Sequence, residues 1–124
     1  MALYAALLYY RQDGYWLDPA EAEFAPEYGV FAQAATAAGV LGVNEALHPP
    51  GTATTITVAG GKGGEVVVSD GPYAEAKEVL GGFYLIDVPD LDEAIGWAAR
   101  IPAAWRGKVE VRPVFDFSAG PPAS

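Results

Sequence analysis

Cysteine is absent from the 124-residue chain, which excludes disulfides, thiolate zinc sites and a cysteine nucleophile. Histidine occurs once, as His48, so one imidazole is the whole supply of side chains that ordinarily titrate near neutrality. Basic residues are scarce: seven Lys and Arg stand against sixteen Asp and Glu, a formal charge of −9, and no Lys/Arg cluster occurs. Binding to a phosphate backbone depends on concentrated positive charge, so the chain is expected to have no nucleic-acid partner. The acidic surplus fits a well-solvated surface. A long apolar run is lacking too. The opening MALYAALLYYRQDGYW has no basic leading region, and its apolar part stops at Arg11, far short of the ~20 residues of a bilayer span. It reads as a first strand, and the protein as cytoplasmic with no membrane partner.

What is present is core-forming. Apolar residues make up 52% of the chain, aromatic residues 12% and charged residues 19%, a balance that excludes charge-driven disorder for most of its length. A chain of this size buries roughly two thirds of the surface its unfolded form exposes, so one domain accounts for it. Residues 1–117 read as that domain. Residues 118–124, SAGPPAS, have the composition of a frayed tail.

The stretch Ser69 to Glu93 organises the rest. Asp70-Gly71-Pro72 is a turn that holds a carboxylate at a fixed corner. Gly81-Gly82 are expected to release the chain into a strand over Phe83–Val88, rich in aromatic and branched residues. Asp90 followed by Glu93 is a helix-start signature, and the helix it opens is expected to run from about Leu91 to Ile101 and to stop at Pro102. Upstream, Leu3–Tyr10 is apolar on both alternating faces, as a strand covered on two sides would be. Asp18, Pro19 and Glu21 mark a helix start, with Phe24, Tyr28, Phe31 and Ala35 as its apolar stripe and Gly39 as its terminator. Val40–Leu47 is a short apolar piece before Pro49-Pro50-Gly51. Thr52–Ala59 and Glu65–Val68 read as a hairpin around Gly60-Gly61-Lys62-Gly63-Gly64. That glycine run lacks the Lys-Ser/Thr ending and following helix of a phosphate loop, so a flexible turn is the reading adopted. Lys108–Phe115 is a last strand.

The order is that of a βαββαβ ferredoxin-like α+β sandwich with an added hairpin, two helices covering one face of an antiparallel sheet. Phe83 and Leu85 point one way, Tyr84 and Ile86 the other. The uncovered face would expose a large apolar patch in a monomer, and a second subunit is the economical cover.

Candidate site residues follow from chemistry. Asp70 suits a general base or its orienter, and Asp before Gly-Pro equally stabilises its own turn by bonding local amides. His48 suits a proton carrier, with Glu45 as a carboxylate able to orient it; an exposed loop pair is the alternative. Tyr73 and Lys77 neighbour Asp70. Tyr84, with Tyr4, Tyr9 and Tyr10, suits an aromatic-lined cavity or a subunit interface. Glu45, His48 and Asp70 lack the spacing of a metal motif, so no metal is expected.

The segments DGPYAEAKEVLGGFYLIDVPDLDEAIGWAARIP, GTATTITV and VEVRPV resemble the DGPF subgroup of the YCII-related proteins, from Leu3 to about Phe115. The resemblance implies a dimeric α/β barrel in which two ferredoxin-like sheets face each other and enclose pockets. It also implies a superfamily that includes monooxygenases, muconolactone isomerases and a dehydrochlorinase, an acid-base pair of histidine and aspartate, and an association with extracytoplasmic-function sigma factors. Asp70 matches the subgroup motif. Tyr73 stands where the subgroup usually has Phe, and Ala76 where it has Thr.

The expectation is a homodimeric small-molecule enzyme of acid-base type, an isomerase, lyase or cyclase without metal or redox cofactor, its pocket completed by the dimer. Asp70, His48 and Lys77 would be catalytic, and Tyr73, Glu45 and Tyr84 would bind substrate. The competing expectation is a non-catalytic dimer that binds a ligand or a protein partner such as a sigma factor.

Overall fold

The ten residues Ala2–Arg11 form β1, the strand on which the others are laid, in a computed structural model that describes residues 2–11, 22–72 and 77–119. Its faces alternate as the pleat requires. Tyr4, Ala6, Leu8 and Tyr10 are buried, while Leu3, Ala5, Leu7 and Tyr9 keep access to solvent. Antiparallel to β1 on one side runs β5, Glu78–Val88, and on the other β6, Lys108–Pro113. The short β2, Leu41–Ala46, pairs with the far edge of β5. The strand order β2-β5-β1-β6 with antiparallel neighbours makes an open ferredoxin-like sheet in an α+β fold.

Helices cover the face that carries the even residues of β1. Ala25–Ala37 forms α1, whose stripe turns Phe31 and Ala35 into the core, and Phe31 meets Tyr84 of β5 edge-on at 4.9 Å between ring centres. The Tyr10 and Tyr28 hydroxyls hydrogen-bond to each other, which satisfies a phenol that is only 1% exposed. The helix ends where expected, before Gly39. The start signature at Asp18, Pro19 and Glu21 lies outside the described residues. Leu91–Ala98 forms α2, capped by the Asp90 carboxylate, which accepts a hydrogen bond from the Glu93 amide at 3.0 Å.

Three local readings are corrected. The helix after Asp90 stops at Ala98 and not at Ile101, because its end tightens into turns in which Arg100 and Ile101 donate to the carbonyls three residues back. Pro102 does not terminate it but leads a further short helix, α3, Ala103–Arg106, for which its fixed backbone angle is well suited. Gly81 and Gly82 do not precede β5; they lie inside it. Leu8 pairs with Gly82 and Tyr9 with Leu80, so Gly81 is an extra residue, a bulge. The Gly81 carbonyl accepts from the Leu47 amide at 2.8 Å, and a Cβ on Gly82 would come within 2.6 Å of the Glu45 carbonyl oxygen. These glycines serve a close backbone approach between β2 and β5.

The added hairpin consists of β3, Thr54–Ala59, and β4, Glu65–Asp70, which form a separate two-stranded sheet. Gly60, Gly61 and Gly63 all take positive φ in its turn, a conformation that favours glycine and gives the run a structural use. At the chain's other end, the Asp116 carboxylate accepts from the Ser118 amide at 2.9 Å within a 3-10 turn over Phe117–Ala119. Among the described residues, no helix is long and apolar enough to cross a membrane.

Replacing Gly82 by Ala forces the β2 backbone away from β5 and is expected to cost about 1–3 kcal/mol, read as a lower denaturant midpoint with an unchanged slope. Asp90→Ala, which removes one cap, is expected to cost about 1 kcal/mol.

Candidate functional site

Where β2 runs out, its last backbone bond to β5, from Leu47 to Gly81, places His48 beside the start of β5. The chain then turns through Pro49 and a 3-10 turn at Pro50–Thr52 into the hairpin. The hairpin returns at Asp70, paired with Thr54, and its base is tied by the Gly71 amide to the Ala53 carbonyl at 2.7 Å and by the Thr55 hydroxyl to the Gly71 carbonyl at 2.9 Å. Between the sheet and this base lies a cleft of about 610 Å³, with Leu47, Pro49 and Pro50 on one wall, Ala53 and Pro72 on another, and Val79 and Leu80 from β5. His48 and Glu78 are polar groups on this mostly apolar lining, a composition typical of small-molecule sites.

The expected residues divide between places. His48 lines the cleft, and Pro72 of the Asp-Gly-Pro turn reaches it, whereas Asp70 is exposed at the end of β4 and does not line it. Lys77 is exposed next to Glu78. Tyr73 lies outside the described residues. Glu45 and Tyr84 sit elsewhere, around a separate cavity of about 70 Å³ between β2 and β5. Glu45 pairs with Phe83 and projects on the open side of the sheet, while Tyr84 packs under α1 against Phe31. The structure thus gathers His48 with the turn and leaves the Glu45–Tyr84 pair apart. Among the described residues, no three acidic or histidine side chains come together as a set for a metal ion.

Glu78 was not singled out in the sequence. It forms an ion pair with Lys108 across β1, and its carboxylate is half-withdrawn from solvent at the cleft. The available signal was positional: once β5 is extended back through Gly81 and Gly82, Glu78 falls opposite Arg11 at the end of the central pair.

A family model for the YCII-related domain matches residues 2–118. The chain belongs to the YCII-related family. It is 44% identical over 85 residues to uncharacterized protein R00369 of Rhizobium meliloti (strain 1021), an alignment covering 67% of this chain and 66% of that protein. The chain therefore spans just under two thirds of that relative's length.

Burial raises the Tyr84 phenol above its ordinary value near 10.0, because the ionised form loses hydration beneath α1. A group whose folded value is raised stabilises the fold fully below its unfolded value and loses that contribution as pH climbs through the folded one. Stability is therefore expected to fall above pH ~10, and Tyr84→Phe to flatten that part of the slope in urea melts taken across the alkaline range.

Proposed function

We propose that the protein is a dimeric small-molecule enzyme that works by acid-base chemistry, with the cleft at the hairpin base as its substrate site. The observation that carries this reading is the meeting of two regions distant in sequence, the segment around His48 and the segment from Pro72 to Leu80. His48, Pro72 of the Asp-Gly-Pro turn, and Glu78 all line one mostly apolar cleft. Isomerase, lyase and cyclase steps share one need, a group that takes a proton from one substrate atom and a group that returns it to another or to a leaving group. His48 is the proton carrier. Asp70, exposed at the hairpin base outside the cleft lining, would serve as base only to a substrate atom that extends out of the cleft. Lys77, and Tyr73 beyond the described turn, supply hydrogen bonds to an oxygen that becomes negative as the proton leaves.

The dimer completes the site. Leu3, Ala5, Leu7 and Tyr9 of β1, with Phe83 and Leu85 of β5, share the sheet face that no helix among the described residues covers, and a second copy meeting it about a twofold axis would bury it. Leu85 is the partner-facing residue of the Leu85–Ile86 pair, since Ile86 is in the core at 1% exposure. The exposure of Asp70, and its place outside the cleft lining, favour a second reading: a dimer that binds a ligand, or a protein such as a sigma factor, without turning anything over.

A thermal-shift screen of small carboxylic acids, lactones and cyclic ketones separates the two, since a ligand of the folded form raises the melting temperature. Catalysis predicts a hit that is consumed, as followed by NMR, with turnover reduced about 10²–10⁴-fold in His48→Gln. Binding alone predicts a shift with no product in either protein. Leu85→Asp is expected to convert a dimer in light scattering into monomers or aggregates, by placing an unpaired charge in the interface; an unmodified protein that is monomeric at micromolar concentration overturns the dimer.

A further inference from the structure

Of the described side chains that line the cleft, His48 and Glu78 are the ones that ionise. Thr52 is the remaining polar group of that lining, and its hydroxyl is already committed to the Pro49 carbonyl at 2.7 Å. Asp70 lies outside the lining. A step that moves a proton between two substrate atoms inside the cleft needs a second group beside His48, and among the described residues Glu78 is placed to be it.

Strand pairing puts the carboxylate there. Tyr9 of β1 stands opposite Leu80 of β5 and Lys108 of β6, so these three, and Glu78 two positions before Leu80, share one side of the sheet. Lys108 reaches across β1 and donates to Oε1 of Glu78. Among the described residues no other group bonds to that carboxylate, which leaves Oε2 as an acceptor on a side chain that is 31% exposed. Its neighbours on the cleft wall, Pro72, Val79 and Leu80, are apolar and their side chains offer it no hydrogen bond. His48 arrives from β2, set in place by the bond from the Leu47 amide to the Gly81 carbonyl further along β5.

We infer that Glu78 is the general base of the cleft and His48 its acid, and that the substrate is an apolar molecule with a C–H bond made acidic by a neighbouring electron-withdrawing group. This rests on the acid-base reading of the cleft given above. The Glu78 carboxylate takes the proton from the substrate carbon. The electron pair of that C–H bond moves into the adjoining bond, and the His48 imidazolium gives its proton to the atom that receives the displaced pair, either another substrate carbon or a leaving group. Glu78 then releases its proton to water through its exposed part and His48 takes one up, which restores both groups.

5-Nitrobenzisoxazole tests for such a base whatever the natural substrate is. Removal of its ring C–H proton breaks the N–O bond, and the electron pair ends on the oxygen of a coloured cyanophenolate, so no co-reactant is consumed. The unmodified protein is expected to accelerate this elimination beyond an equal concentration of acetate, with saturation. Glu78→Gln, which keeps the shape and can still accept from Lys108, is expected to lower kcat/KM by about tenfold or more; Glu78→Asp, which keeps a base, is expected to retain more of it. A Glu78 that served its ion pair alone would not give that order. Glu110→Gln, which removes the exposed carboxylate paired with Arg112 at 2.8 Å, is expected to leave the rate unchanged, with matching circular dichroism spectra and melting curves throughout. His48→Gln is expected to lower the rate by less than Glu78→Gln, because this leaving group departs without a proton. If Glu78→Gln matches the unmodified protein while His48→Gln or Asp70→Asn abolishes turnover, the assignment of Glu78 is wrong and the acid-base reading stands. If the unmodified protein does no better than acetate, or all three of these variants keep its full rate, both fail together.

Discussion

The antiparallel pairing of β1 with β5 is the constraint from which the remainder of the molecule follows. It runs from Ala2 opposite Val88 to Arg11 opposite Glu78, places both strands in the middle of the sheet, and leaves only edge positions for β2 and β6. Because side chains alternate across a pleat, the same pairing sorts Tyr4, Ala6, Leu8, Ile86 and Val88 into the helix-covered core and Leu7, Phe83 and Leu85 onto the other side. The helices contribute cover rather than register. Phe31 and Ala35 of α1, Ala94 and Ala98 of α2, and Ala103 of α3 fill a surface already defined by the strands.

The cleft is where regular structure gives way. After His48 two prolines supply no backbone donors and the chain leaves the sheet through the 3-10 turn Pro50–Thr52; the hairpin that follows is joined to the body of the protein through its base. The cleft at this junction has one wall supplied by Val79 and Leu80 of the sheet and another by Ala53 and Pro72 at the hairpin base.

Much of the fold was legible from local chemistry. A run apolar on both faces marked β1, the spacing of Phe31 and Ala35 marked the buried stripe of α1, and Asp90 with Glu93 marked the start of α2 through a cap that the structure contains. What local chemistry hid was tertiary. Gly81-Gly82 looks like a break in any single segment, and only the neighbouring Glu45 carbonyl explains why glycine stands within a strand. The site was legible in parts: His48 and the Asp-Gly-Pro turn drew notice for their residue types. That Glu45 would project to the opposite side of the sheet from Tyr84 follows from pairing with β5 across an irregularity between Leu41 and Asn44, which a sequence window does not reveal.

The extra residue at Gly81 carries a consequence of parity. From Gly82 onward the even-numbered positions Tyr84, Ile86 and Val88 face the helices, whereas before the bulge it is the odd-numbered Val79, opposite Tyr10, that is buried. Deleting the bulge residue itself would leave Val79 facing the core and Leu80 the open side, with their partners Tyr10 and Tyr9 unchanged, whereas deleting a residue from the regular ladder would move every residue beyond it to the other face. Removing or adding two would leave the alternation intact. A single-residue change in length is therefore absorbed only at the bulge, while in the regular part of β5 the pleat admits steps of two.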